Sequence, residues 1–275
     1  MKKRIVTIAL VIALLATCFA GTLAYLTDTE AVKNVMVMGN VSILQNEWQR
    51  AKNEDGTFKT GTVDDRTSYL LEKFQQDKMI VPSAIAAMAW DTTPLRMSPV
   101  GSAGAAAIFV AESNAIDKIV TVTNTGNTGV YLRTLVAVEI GSGSADMIGL
   151  AARANSDSTG HPYDYTQVGV IEINGNKYYV YEYVYIGAAD VGRHVGGILP
   201  PNETSYPSLC QVYLKSTVTN EDVLKLDGND NGKLDILVLT QAVQAQGFAN
   251  AKTALDTAFG VSDVVKAEGW FASIA

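Results

Sequence analysis

Asn174-Gly175, set between two apolar runs, constrains this chain more than any other pair of residues. Both tolerate positive φ, which a two-residue hairpin turn with right-handed strand twist requires. Val168–Ile173 and Lys177–Ile186 are therefore expected to pair as antiparallel strands. In the return strand a period of two puts Tyr179, Tyr181, Tyr183 and Tyr185 on one face, and Tyr178, Val180, Glu182 and Val184 on the other. The tyrosine row reads as cross-strand packing on a sheet face. A flat aromatic platform for sugars or a partner is the alternative.

A second pair is expected from Ile116–Thr123 and Val130–Ile140, joined by the Asn- and Gly-rich turn Asn124–Gly129. Leu209–Ser216 and Leu234–Val243 add further strands, and Val35–Leu44 is a near-continuous strand broken only at Gly39, Asn40 and Ser42. Between them, Gln45–Asp65 reads as a polar connection, Val81–Val110 as an excursion, and Gly141–Thr166 and Gly187–Pro207 as loops. Tyr69, Leu70, Leu71 and Phe74 sit at helical spacing, so Thr67–Lys78 is expected to be a short amphipathic helix. Ala249–Phe259 and Val261–Phe271 read as terminal helices packing on the sheets. The pattern, about seven to nine strands at irregular spacing, predicts an all-β fold: an antiparallel two-sheet sandwich of jelly-roll type. Short peripheral helices and a helical tail over residues 249–275 complete a single domain, residues 25–275.

Ahead of that domain stand Lys2, Lys3 and Arg4, the apolar run Ile5–Ala20, and small residues at Thr22 and Ala24. This is the layout of a secretory signal peptide over residues 1–24, cut between Ala24 and Tyr25. A membrane anchor is the alternative, but the run falls short of the roughly 20 apolar residues that span a bilayer. Without residues 1–24 the chain keeps 18 basic residues against 28 acidic, a net charge of −10. Such acidity argues against nucleic acid and against anionic membrane surfaces. Cys210 is then the one remaining cysteine, which excludes an internal disulfide. Its apolar neighbours Leu209, Val212 and Leu214 predict a buried, inert thiol.

The junction behind the leader, LAYLTDTEAVKNVMVMGNVSI, resembles the start of the TasA/camelysin family of secreted biofilm-matrix fibre proteins. The residues that carry the likeness are Ala24, Tyr25, Thr27, Asp28, Gly39, Asn40 and Val41. Shorter likenesses lie at Ile116–Arg133, Leu199–Val212 and Val238–Phe248. The resemblance implies a leader cut by a SipW-type signal peptidase and a jelly-roll sandwich that builds extracellular fibres. With the chain order it implies that the freed N-terminal strand fills an open sheet edge in a neighbouring subunit. The assembly residues would be Val35, Met36, Val37, Met38, Val41 and Ile43. Partners would be further copies head-to-tail, the signal peptidase and other matrix proteins, with no nucleic acid and no membrane once the leader is gone. Self-pairing of the same strand within its own sandwich is the competing expectation.

Chemical constellations are few. Asp227, Asn229 and Asn231 match the first ligand positions of a calcium loop, with Gly232 at the turn and Asp235 at the ninth position. Val238 stands where the bidentate Glu belongs, so an Asx/Gly turn is the favoured reading and weak calcium binding the other. No cofactor is expected beyond that. The camelysin branch has been classed as metallopeptidase, but a zincin needs HExxH, and the only histidines are His161 and His194, in separate loops that read as solvated. No G-x-S-x-G and no phosphate loop is present either. The chain reads as a non-enzyme, with a cell-surface adhesin or glycan-binding sandwich as the rival class.

Overall fold

Every residue of Val130–Glu139 is buried, and the architecture follows from what covers the two faces of this strand. The structure, a computed structural model, describes residues 27–31, 41–63, 66–76, 78–82, 90–91, 94–96, 103–106, 109–110, 114–151, 162–187 and 194–274. Ten of its strands make two five-stranded antiparallel sheets. In chain order they are β1 (Thr27–Ala31), β2 (Ile43–Arg50), β3 (Leu71–Lys73), β4 (Ile116–Asn124), β5 (Val130–Glu139), β6 (Ile148–Ala151), β7 (Tyr163–Ile173), β8 (Asn176–Tyr185), β9 (Leu209–Leu214) and β10 (Ile236–Gln244). The first sheet has the order β1-β10-β5-β8-β7 and the second β6-β9-β4-β2-β3.

Between the sheets, Val130, Leu132, Val136 and Val138 of β5 share one core with Val120 and Val122 of β4 and with Leu209 and Leu214 of β9. Each such side chain contributes about 1.5–3 kcal/mol on burial. On the other face of β5, Leu135 and Ala137 lie under α3 (Val264–Ala272), against Ala267 and Phe271. Tyr131 lies under α2 (Ala251–Phe259), against Ala251, Ala254 and Leu255. Both helices are started by side-chain caps: Asn250 accepts the Thr253 amide at 2.9 Å and Asp263 the Lys266 amide at 2.8 Å. The first sheet is thus covered twice, which explains why β5 reads as a continuous apolar run rather than an alternating one.

Arg133 interrupts that run on the helix side, and its charge is fully partnered. Its Nε donates to Gln241 at 2.8 Å; Nη1 donates to Glu182 at 3.1 Å and to Asp256 at 3.3 Å; Nη2 donates to the Gly260 carbonyl at 3.0 Å. Burial pulls the guanidinium below its ordinary value, and Glu182 and Asp256 oppose that pull. Arg133 therefore ties two neighbouring strands to the joint between α2 and α3.

The expected hairpin is present. Asn174 and Gly175 take φ of 52° and 85° and join Ile173 to Asn176 in register. The strands Ile116–Asn124, Val130–Glu139, Leu209–Leu214 and Ile236–Gln244 and the two terminal helices also form close to their expected bounds. Elsewhere the structure corrects the sequence expectations. Thr67–Lys78 is not a helix: Arg66–Tyr69 pairs with Thr60–Val63, and Leu71–Lys73 pairs with β2. The apolar spacing there reflects Tyr69 and Leu71 packing on Ile119 and Cys210. Gln45–Arg50, expected as a connection, continues β2 because β4 and β3 offer it a ladder on each side. Ile148–Ala151 and Tyr163–Thr166 are strands within the expected loop Gly141–Thr166. Most of Val81–Val110 lies outside the described residues.

Replacing Arg133 by Ala leaves Glu182 without its buried cation. Urea unfolding is expected to show a loss of about 3–5 kcal/mol; a loss below about 1 kcal/mol would mean the helical tail docks without this tie.

Candidate functional site

β10 is the strand that Thr27–Ala31 pairs with. Val238 and Ala242 face the core between the sheets, while Leu239 and Val243 face the helices. With β5 on one side, only the opposite edge of β10 is left to pair. Thr27–Ala31 takes that edge antiparallel, from Thr27 opposite Val243 to Ala31 opposite Leu239. The sequence TDTEA has weak strand propensity, so the ladder on β10 decides its conformation.

Of the expected assembly residues, only Val41 and Ile43 lie among the described ones. Val41 and Ile43 are only 1% and 5% exposed and belong to the main core. Ile43 opens β2, which pairs with β4 from Ile43 opposite Asn124 to Trp48 opposite Ile119. β2 thus runs on past Leu44, where the expected strand ended, to Arg50. Ala24, Tyr25, Val35, Met36, Val37 and Met38 lie outside the described residues. The edge strand Thr27–Ala31 carries no apolar signal that pattern reading would find; its signal is the uncapped apolar strand Ile236–Gln244 that needs a partner.

The tyrosine row faces inward. Tyr183 and Tyr185 are buried in the main core with Tyr163, whose hydroxyl donates to the Tyr206 carbonyl at 2.5 Å. Burial raises the phenols of Tyr163 and Tyr183 well above their ordinary range. Tyr179 and Tyr181 are half-buried and pack with Tyr165, whose ring lies 5.9 Å from that of Tyr181 at 22°. His194, expected as solvated, is instead buried. Its Nδ1 is hydrogen-bonded to the Tyr185 hydroxyl at 2.5 Å and its Nε2 to Glu203 at 2.6 Å. The imidazole clasps the end of β8 to the segment 199–206, which pairs with β4 through Ser205 and Val122. It is a buried tie, and His161 lies outside the described residues.

The Asp227–Asp235 loop spends its side-chain oxygens on its own backbone. Asp227 accepts the amides of Asn231 at 3.1 Å and Gly232 at 2.6 Å; Asn229 accepts that of Asn231 at 3.1 Å; Asn231 accepts that of Lys233 at 2.8 Å. The Asn229 and Asn231 contacts are Asx turns, Asp227 caps the amides further along the loop, and Asp230 and Gly232 take positive φ. Asp235 accepts from the Asn229 side-chain Nδ2 at 3.4 Å. The loop follows a short helix, α1, Asn220–Leu226, started by a capping box of Thr219 and Asp222. Among the described residues, no group of three His, Cys, Asp or Glu side chains is gathered as a metal site would need.

Sequence reading missed Glu139, the residue that holds this loop. Its carboxylate is buried and accepts the amides of Gly228 and Asp235, each at 2.9 Å. The one clue in the sequence is a carboxylate at the end of an otherwise apolar run. Burial raises its pKa above the ordinary 4.5, the two amides pull it down, and Asp235 and Asp227 push it up. The native state therefore binds this proton more readily than the unfolded chain. Glu139 favours folding below the ordinary carboxyl range, and that contribution is lost as pH rises through its raised native value. Glu139→Gln removes this slope: stability of the parent measured against the variant is expected to fall with rising pH across that window. A difference that stays flat, or rises, would contradict the assignment. Compared with known proteins, the chain matches no family model, no curated protein and no solved structure.

Proposed function

We propose that the chain is a secreted structural subunit of extracellular matrix fibres, of the TasA type. In this reading the sandwich is a jelly roll, the leader is removed after Ala24 by a signal peptidase, and subunits join head-to-tail. Each subunit's N-terminal strand fills the β10 edge of the next. What supports the reading is one observation: β10 is buried on both faces, yet among the described residues its outer edge is closed only by a five-residue strand, Thr27–Ala31, four of whose residues are polar. An edge of that kind is a template for any strand that reaches it. A strand that closes its own edge also closes a neighbour's by the same hydrogen bonds, and a head-to-tail contact that does not close on itself builds a filament.

The donor in this reading is Thr27–Ala31. Val41–Arg50 stays in its own sheet, where β4 and β3 hold it. The exchanged ladder is short, so its strength comes from backbone pairing together with whatever precedes and follows the strand. The Asp227–Asp235 loop serves as a turn that fixes the start of β10, with no cation required.

Electron microscopy of the mature protein, residues 25–275, is expected to show fibres, and deletion of Tyr25–Ala31 is expected to abolish them while the far-ultraviolet spectrum stays β-rich. Fibres of equal yield from the deleted protein would sink strand donation. Millimolar calcium is expected to leave Tm unchanged, whereas a rise that Asp227→Ala abolishes would assign the loop to a cation instead.

A further inference from the structure

The first sheet has a second edge, β7, at the opposite end from β1. This strand is eleven residues long, and among the described residues only β8 pairs with it. Its sequence, YDYTQVGVIEI, contains neither Lys nor Pro, the residues that usually blunt an edge. The segment Val168–Ile173 combines high strand propensity with a single charge, Glu172. Segments of that composition pair with their own kind when the edge is open. Val170 is 43% exposed.

Two features cover this edge. A bulge falls between Gln167 and Gly169, where Gly169 takes φ of 129° and interrupts the ladder. Helix α3 lies against β7, with Ala267 and Phe271 packed on Ile171 and Ile173. A Cβ on Gly169 would come within 3.0 Å of the Val264 side chain, so helix and bulge meet closely. Glu268 then reaches the strand and accepts the Glu172 amide at 3.2 Å. Glu172 stands opposite Lys177 in a register where Ile173 is joined to Asn176 at the turn. Its N–H therefore points away from β8, toward the free edge. The carboxylate occupies the donor that a further strand would use.

We propose that the β7 edge is a self-pairing surface for a second copy of this chain, held shut by α3 through Glu268. The occupant is the same segment, Val168–Ile173, of another molecule, paired antiparallel about a two-fold axis. This surface lies at the other end of the sheet from β1 and does not depend on strand donation.

The test uses the full mature chain with Glu268→Ala, a surface change that leaves the helix-to-sheet apolar contacts in place. Hydrogen exchange of the Val168–Ile173 peptide is measured at two protein concentrations. Exchange about tenfold slower at the higher concentration in the variant, but not in the parent, is the expected result. Adding Glu172→Pro removes the outward N–H without touching the ladder to β8, and is expected to abolish the concentration dependence. Rapid exchange at both concentrations in Glu268→Ala would overturn the proposal. So would concentration-dependent protection that persists with Pro at position 172. Strand donation involves Thr27–Ala31 and Ile236–Gln244, and its success or failure leaves this readout unaffected.

Discussion

Burial of Val130–Glu139 on both faces is the constraint from which the rest of the structure follows. A strand covered on one side by a second sheet and on the other by two helices has no water available to any of its polar groups. Each must then find a partner inside the protein. Arg133 finds four: Gln241, Glu182, Asp256 and the Gly260 carbonyl. Glu139 finds the amides of Gly228 and Asp235. Thr134 meets Thr240 at 3.3 Å, and Thr240 donates to Gln45 at 2.8 Å, which carries the contact across the core to the second sheet. These polar groups fix the register of β5 and β10 and the seat of the helices, where apolar packing alone would tolerate sliding.

The same double cover moves the chemistry of the molecule to the edges of its first sheet. Both faces of the first sheet are covered within the domain, so among the described residues its unshared backbone donors and acceptors lie at its two edges. The two edges are managed differently. At β10 the edge is closed by a separate strand from near the N-terminus. At β7 it is closed by a bulge and a carboxylate from the last helix. In the proposed reading, an edge closed by a separate strand suits directed growth, and an edge closed by a side chain suits its prevention elsewhere.

Much of the sandwich was legible because its strongest signals are local. Asn174-Gly175 and the apolar runs flanking it, the run Val130–Glu139, and the amphipathic tail each carry their signal within one short segment. What escaped was decided by distant partners. Gln45–Arg50 looks polar, yet becomes a strand because β3 and β4 flank it. Leu71–Lys73 has helical spacing, yet its backbone completes the edge of a sheet. His194 sits among glycines and reads as solvated, but Tyr185 and Glu203 enclose it. Of the expected assembly residues, Val41 and Ile43 are buried in the core, and Val35, Met36, Val37 and Met38 lie outside the described residues. The strand that closes β10 is the polar segment just ahead of them.

The central claim, that the β10 edge is completed by Thr27–Ala31 of a neighbour in the assembled state, is tested most directly by a disulfide across that ladder. Asp28 and Ala242 stand opposite each other, so Asp28→Cys with Ala242→Cys places two thiols where a bridge between neighbouring strands can close. In assembled material, a non-reducing denaturing gel is predicted to show a ladder of covalently linked chains that collapses on reduction. Linked species confined to a single chain length, in material that has nevertheless formed fibres, would contradict the account.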